Sequence, residues 1–269
     1  MSLEPRDLDE IVTGANAVAD QAGALLLRGL DEPKTIEHKG EVDLVTEYDR
    51  RAQDVIARGL ADRFPGFGLL AEEDGAARGT DAATTWIVDP LDGTTNFSHG
   101  HPLFAVSIGL EHEGRLVAGV IDVPALGSRF WARLGGGAYR DGRPISVSAT
   151  DDLDRALLAT GFPYDRRTAD DDNTRELIAL MKRCQGVRRG GAAAIDMAFT
   201  ACGIYDAFWE PKLHAWDLAA GTVIVREAGG SVTDYAGDPV DIRAGWVVAS
   251  NGPVHQQVLE VIRRARSDI

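Results

Sequence analysis

Trp86-Ile87-Val88-Asp89-Pro90-Leu91-Asp92-Gly93-Thr94-Thr95-Asn96-Phe97 is the stretch on which the reading of this chain turns. Trp86-Ile87-Val88 predicts a short buried strand that stops at Pro90, which has no N–H to give a ladder. The strand delivers Asp89 at its C-terminal end, and the turn after Pro90 brings Asp92 round beside it. Gly93 lets the backbone approach a ligand. Thr94-Thr95 predicts a helix start, whose free N–H groups suit a phosphate. Two carboxylates this close repel each other, and a cation between them resolves the repulsion unless one is protonated. The plain alternative is a turn at Asp92-Gly93 with Asp89 as a helix cap.

Upstream, Leu69-Leu70-Ala71 runs into Glu72-Glu73-Asp74-Gly75. A charge run is ordinarily a solvated loop. That reading weakens when a second acid cluster follows soon after at another strand end. Downstream, Trp216-Asp217-Leu218-Ala219-Ala220-Gly221 puts Asp217 in the first turn of a helix, where its ordinary role is dipole compensation.

The remaining pattern is mixed α and β. Leu8, Ile11, Val12, Ala15, Ala19, Ala22 and Leu26 recur at helical spacing. Thr46 to Asp49 reads as a capped helix start. Phe104 to Leu110 and Leu116 to Val123 read as an antiparallel hairpin joined by Glu111-His112-Glu113-Gly114. Phe130 to Ala132 and Ile145 to Val147 predict further strands. After about residue 150 come a strand at Ala156 to Thr160, helices at Thr168 to Gln185 and Ala192 to Cys202, a strand at Tyr205 to Trp209 and a helix at Trp216 to Ala228. Val247 to Ala249 predicts a strand, and Asn251 caps a last helix with Pro253 in its first turn. The change of texture predicts an N-terminal α+β lobe over 1–147 and a C-terminal α/β lobe over 148–269, with a seam near 143–152.

Composition narrows the function. The 269 residues carry 28 Lys plus Arg and 42 Asp plus Glu, a net charge of −14. That argues against a nucleic-acid binder, which needs a basic face. It permits a phosphorylated substrate, because a hard cation held by carboxylates reverses the local sign. Cys184 and Cys202 make no disulfide framework and no four-ligand zinc site. The start of the chain shows no basic head followed by an apolar run, and no apolar run approaches the ~20 residues of a membrane span. A cytoplasmic protein with no membrane partner is the default expectation.

The run Asp89 to Phe97, with Glu72-Glu73 before it and Trp216-Asp217 then Ala219-Ala220-Gly221 after it, resembles the inositol monophosphatase family, magnesium-dependent and lithium-sensitive phosphatases. Asp43-Leu44-Val45-Thr46 with Asp49, Gly190 to Ala194, and Glu227-Ala228-Gly229-Gly230 also fit, so the resemblance runs over nearly the whole chain. It implies an α+β fold, a five-layer α-β-α-β-α sandwich of the inositol monophosphatase and fructose-1,6-bisphosphatase type, commonly a homodimer. By resemblance, Glu72, Asp89 and the Leu91 carbonyl hold a first Mg²⁺. Asp89, Asp92 and Asp217 hold a second, and a weaker third sits by Glu72 through waters. Gly93 and Thr94 bind the phosphate through backbone N–H groups. Thr94 with Glu72 orients the attacking water, helped by Asp49 through Thr94. Asp92, Ala193, Glu210 and Asp217 face the alcohol of the substrate.

The resemblance implies hydrolysis of inositol 1-phosphate. Glu210, seven residues before Asp217, and Gly161-Phe162-Pro163-Tyr164 favour that substrate. Histidinol phosphate, fructose 1,6-bisphosphate and 3′-phosphoadenosine nucleotides are the alternatives within the superfamily. A haloacid-dehalogenase phosphatase fits less well, because its two Asp residues are one residue apart. A non-catalytic regulator on an old phosphatase fold is the alternative of another class, although Glu72, Asp89, Asp92 and Asp217 are all present. His99 and His101 read as loop residues, since Mg²⁺ disfavours imidazole. Asp170-Asp171-Asp172 reads as a solvated loop and Arg188-Arg189 as a solvated turn, with attraction of an anionic substrate as the alternative for the arginines. Arg263-Arg264-Ala265-Arg266 reads as the basic end of a helix, and Lys39-Gly40-Glu41 as part of a flap over 31–41.

Overall fold

The computed structural model of the chain describes residues 3–38, 44–73 and 81–267. Lys39-Gly40-Glu41, Asp43 and Asp74-Gly75 lie outside them. The chain opens with α1 (Pro5–Gly29), an antiparallel pair β1 (Ile36–His38) and β2 (Leu44–Thr46), and α2 (Glu47–Arg63). There follow β3 (Phe67–Ala71), β4 (Asp81–Asp92), the short α3 (Thr94–Ser98), β5 (Ala105–His112), β6 (Arg115–Val123), β7 (Ser128–Arg133), β8 (Gly137–Arg140) and β9 (Arg143–Ile145). These seven strands, β3 to β9, form one sheet in chain order. Then come β10 (Leu157–Thr160), α4 (Thr174–Met181), β11 (Gly186–Arg188), α5 (Ala193–Ala201), β12 (Ala207–Glu210), α6 (Ala215–Glu227), β13 (Ser231–Thr233), β14 (Val247–Ser250) and α7 (His255–Ser267). The second sheet has the order β11-β10-β12-β14-β13.

The layers follow from the apolar patterns. α1 buries a stripe from Leu8 to Leu26 and, with α2, covers one face of the large sheet. Successive side chains of a strand point to opposite faces. Trp86, Val88, Val106, Ile108 and Leu110 therefore pack under α1 and α2, while Ile87 and Ala105 face the other way. α5 and α6 fill the space between the two sheets, and α4 with α7 covers the far face of the small one. The molecule is the expected five-layer α-β-α-β-α sandwich.

α6 lies unusually close to the large sheet. A side chain at Gly109 would begin 2.6 Å from Ala219 Cβ, and one at Gly119 would begin 2.5 Å from the Ala220 carbonyl oxygen. The helix therefore rests on two glycines through two alanines, and this depth places its N-terminal turn at the end of β4.

Several local expectations are corrected. Pro90 does not stop β4. The strand continues to Asp92 through a bulge in which Asp89 pairs with Ser107 and Asp92 with Ala105. Pro90 sits in the extra segment, where its missing N–H breaks no ladder bond. The helix expected over 168–185 is only α4, because residues 165–172 bond locally and Asn173 takes a left-handed φ of 70°. The hairpin between β5 and β6 turns on Glu113-Gly114 alone, both at positive φ. Asn251 Oδ1 accepts from Val254 N, but α7 begins at His255, so Pro253 precedes it. Asp171 is not merely solvated: Arg266 pairs with it and with the buried Glu176.

Gly119→Ala is expected to lower unfolding free energy by about 1–3 kcal/mol, the usual cost of overpacking. Urea denaturation checks this, and an unchanged midpoint would contradict the packing described.

Candidate active site

The end of β4, the start of α5 and the start of α6 converge on one cavity of about 480 Å³. Asp89 and Asp92 come from the bulged end of β4 and are buried. Asp217 comes from the first turn of α6, where its Oδ2 accepts the His214 N–H at 2.6 Å. Oxygens of these three carboxylates lie within 4.8 Å of one another. Asp89 Oδ1 accepts the Leu91 N–H at 2.9 Å, which curls the bulge around it. Asp92 Oδ2 accepts the Ala194 N–H at 2.8 Å, so this acid sits at the N-terminus of α5. A helix N-terminus favours a negative charge.

The carboxylates oppose one another. Burial raises Asp89 well above the ordinary carboxylate range, and the charges of Glu72, Asp92 and Asp217 raise it further. Asp217 is pushed up by burial and by Asp92. Asp92 is held to about 6 because backbone N–H groups of α5 offset its burial. An all-oxygen donor set under this repulsion fits a hard divalent cation, which would neutralise it. Glu72 is outside the tight triad, yet it lines the cavity and its field reaches Asp89 and Asp217.

A second chain of contacts runs behind the triad. Thr94 Oγ1 lies 2.8 Å from Asp49 Oδ1 and 3.0 Å from the Leu91 carbonyl oxygen. Asp49 is itself fixed at the start of α2, where its Oδ2 accepts from the Thr46 N–H and hydroxyl at 2.7 and 2.6 Å. The capped helix start read from sequence is thus also the support of the Thr94 hydroxyl. Gly93 has a φ of 88°, and a side chain there would begin 2.9 Å from the Leu103 carbonyl oxygen. Gly93, Ala193 and Glu210 line the same cavity as the triad. Burial raises Glu210 to about 8, against the pull of Arg189.

Arg189 is exposed just after β11, as a solvated turn predicts, but it does more than meet solvent. It lines the cavity, and its charge acts on Asp92, Asp196 and Glu210. Asp196, in the first turn of α5, is buried with one oxygen lacking a hydrogen bond among the described residues. A polar residue inside the small apolar run Ala192 to Ala198 was the available signal for it. Asn96 was likewise missed: its side-chain amide donates to the Leu103 and Gly190 carbonyls and so ties the segment after α3 to the one before α5. His101 accepts the Leu103 N–H in a loop, and no described histidine or cysteine joins the carboxylate group. Cys184 and Cys202 are unbridged.

The comparisons with known proteins agree with one another. The model of the inositol monophosphatase family matches residues 7–268. The inositol-1-monophosphatase of Synechocystis sp. is 42% identical over 261 residues, 97% of this chain and 91% of that protein. The inositol monophosphatase of Anabaena (Nostoc) superposes with a TM-score of 0.89 at 38% identity, covering 98% of this chain and 100% of the other. The extragenic suppressor protein suhB of Bartonella henselae superposes with a TM-score of 0.90 at 40% identity, covering 94% and 98%.

The raised carboxylates fix the sign of a pH effect. Without metal, the native state holds protons on Asp92 up to about pH 6, which the unfolded chain releases near its ordinary value. Stability is therefore lost as pH rises through that window. The melting temperature of the metal-free protein, relative to that of Asp92→Asn, is expected to fall between about pH 4 and about pH 7. Parallel melting curves would contradict the assignment.

Proposed function

The chain belongs to the inositol monophosphatase family, and on that premise we propose that it hydrolyses inositol 1-phosphate to inositol and phosphate with Mg²⁺ as its metal. The observation that carries this reading is the triad of the buried Asp89 and Asp92 with the partly buried Asp217, with oxygens within 4.8 Å at the wall of a cavity that Glu72 and Glu210 also line. Like charges raise Asp89 and Asp217, and the charge of Arg189 pulls Asp92 the other way.

Glu72, Asp89 and the Leu91 carbonyl would hold a first ion, Asp89, Asp92 and Asp217 a second, and Glu72 a weaker third through waters. When bound, divalent cations supply positive charge for the attacking water and for the departing alkoxide oxygen. The chain's own groups do the positioning. Backbone N–H groups of Gly93 and Thr94 bind the phosphate. The Thr94 hydroxyl, held by Asp49, orients the attacking water together with Glu72. Ala193 and Glu210, with the outer edges of Asp92 and Asp217, face the hydroxyls of the alcohol. Phosphate monoesters resist hydrolysis so strongly that this electrostatic contribution must be large.

Oxygen-only ligands favour Mg²⁺ over zinc. Inhibition by lithium, a homodimer and a cytoplasmic location belong to the same reading and rest on family membership. No helix among the described residues is long and apolar enough to cross a membrane.

Phosphate release from inositol 1-phosphate, histidinol phosphate, fructose 1,6-bisphosphate and 3′-phosphoadenosine 5′-phosphate tests the proposal, with Mg²⁺ and with EDTA. Mg²⁺-dependent preference for inositol 1-phosphate is expected. Preference for another substrate would overturn the substrate assignment, and turnover in EDTA would overturn the metal. Asp92→Asn and Asp217→Asn are each expected to lower kcat at limiting Mg²⁺ by about 10²-fold or more. Near-normal turnover in either would contradict its metal role.

A further inference from the structure

We propose that Gly161 is a positioning residue for substrate recognition: its missing side chain is the seat on which the Glu210 carboxylate rests. The inference depends on the reading that Glu210 faces the alcohol part of the substrate.

The seat is created by strand register. β10 and β12 run parallel with Thr160 opposite Trp209, so Gly161, just past β10, and Glu210, the last residue of β12, come side by side at the cavity. The Glu210 carboxylate folds directly over Gly161. A methyl group on Gly161 would begin 2.1 Å from Oε1 and 2.2 Å from Oε2. Only hydrogen fits there. Glu210 is 8% exposed, and among the described residues no hydrogen-bond donor holds its carboxylate. The space left by the missing Gly161 side chain, and not a hydrogen bond among the described residues, is therefore what admits its oxygens at this place.

The seat is itself clamped. Asn173, 1% exposed, donates from Nδ2 to the Gly161 carbonyl at 2.7 Å and to Thr160 Oγ1 at 2.8 Å. Its Oδ1 accepts from Trp209 Nε1 at 2.8 Å, and the Thr160 hydroxyl donates to the Trp209 carbonyl at 2.7 Å. One buried amide thus ties the strand end that carries the seat to the strand end that carries the acid. This is a rigid support of the kind a recognition group needs, and it explains the left-handed φ of 70° at Asn173.

The support predicts how a substitution is felt. In Gly161→Ala the clamped backbone stays, and the free end of Glu210 yields. Its oxygens must move by about 1 Å to reach contact distance, a displacement that can cost two orders of magnitude in a well-oriented site. The loss falls on substrates whose hydroxyls Glu210 reads.

The test compares kcat/KM for inositol 1-phosphate and for p-nitrophenyl phosphate, which has no hydroxyls to read, in Gly161→Ala, Glu210→Gln and the double variant. The wild-type preference for inositol 1-phosphate is expected to drop about tenfold or more in each single variant. The double variant is expected to lose no more than Glu210→Gln alone. If Glu210→Gln loses the preference and Gly161→Ala keeps it, the seat is wrong. Equal losses on both substrates in Gly161→Ala, or additive losses in the double variant, would also overturn it. If Glu210→Gln keeps the preference, the underlying reading of Glu210 fails instead. Should Gly161→Ala not fold, rescue by the shorter acid in Gly161→Ala/Glu210→Asp supports the contact, and failure of that rescue overturns it.

Discussion

Three carboxylates with oxygens inside 4.8 Å, two buried and one partly buried, repel one another and resist ionisation together. Nothing local in the chain would choose that arrangement. It persists because each acid is anchored to a separate rigid element: Asp89 to the bulge of β4, Asp92 to the N-terminus of α5, and Asp217 to the first turn of α6. The anchors are backbone N–H groups, which cannot swing away when the charges push. The unfavourable field is therefore stored in the fold and is available to whatever cation enters.

The rest of the architecture can be understood as what keeps those anchors at fixed depth. α6 reaches the large sheet only because Gly109 and Gly119 meet Ala219 and Ala220. α5 is apolar on nearly every face, since it lies between two sheets and contacts both. Asp49 links the outermost helix layer to the site, because the cap of α2 and the partner of the Thr94 hydroxyl are the same side chain. The Glu210 end of the cavity is built from the smaller sheet by a different device, a parallel register that sets an acid beside a glycine. The cavity thus takes its acids from both sheets and from the helix between them.

Much of this was legible in the sequence where the chemistry is local. Asp89 and Asp92 are close along the chain, and the Thr46 to Asp49 cap and the Asp217 helix start are short-range patterns. The five layers were legible through family resemblance alone, since periodicity does not tell which faces meet. What escaped depends on distant partners. Pro90 sits inside a strand because β5 supplies a bulged register. Arg189 faces the cavity because α5 and β12 carry buried acids toward it. Asn173 hides in a polar run that reads as helix, and only its bonds to Thr160, Gly161 and Trp209 explain its conformation.

The central claim is that the fold holds the acids of β4 and α6 for a divalent cation. Anomalous diffraction from crystals soaked in Mn²⁺, a stand-in for Mg²⁺ with a usable signal, tests it most directly. The account predicts a peak in contact with Asp89, Asp92 and Asp217 together. A cavity with no peak there, or a metal bound only elsewhere on the surface, would contradict it.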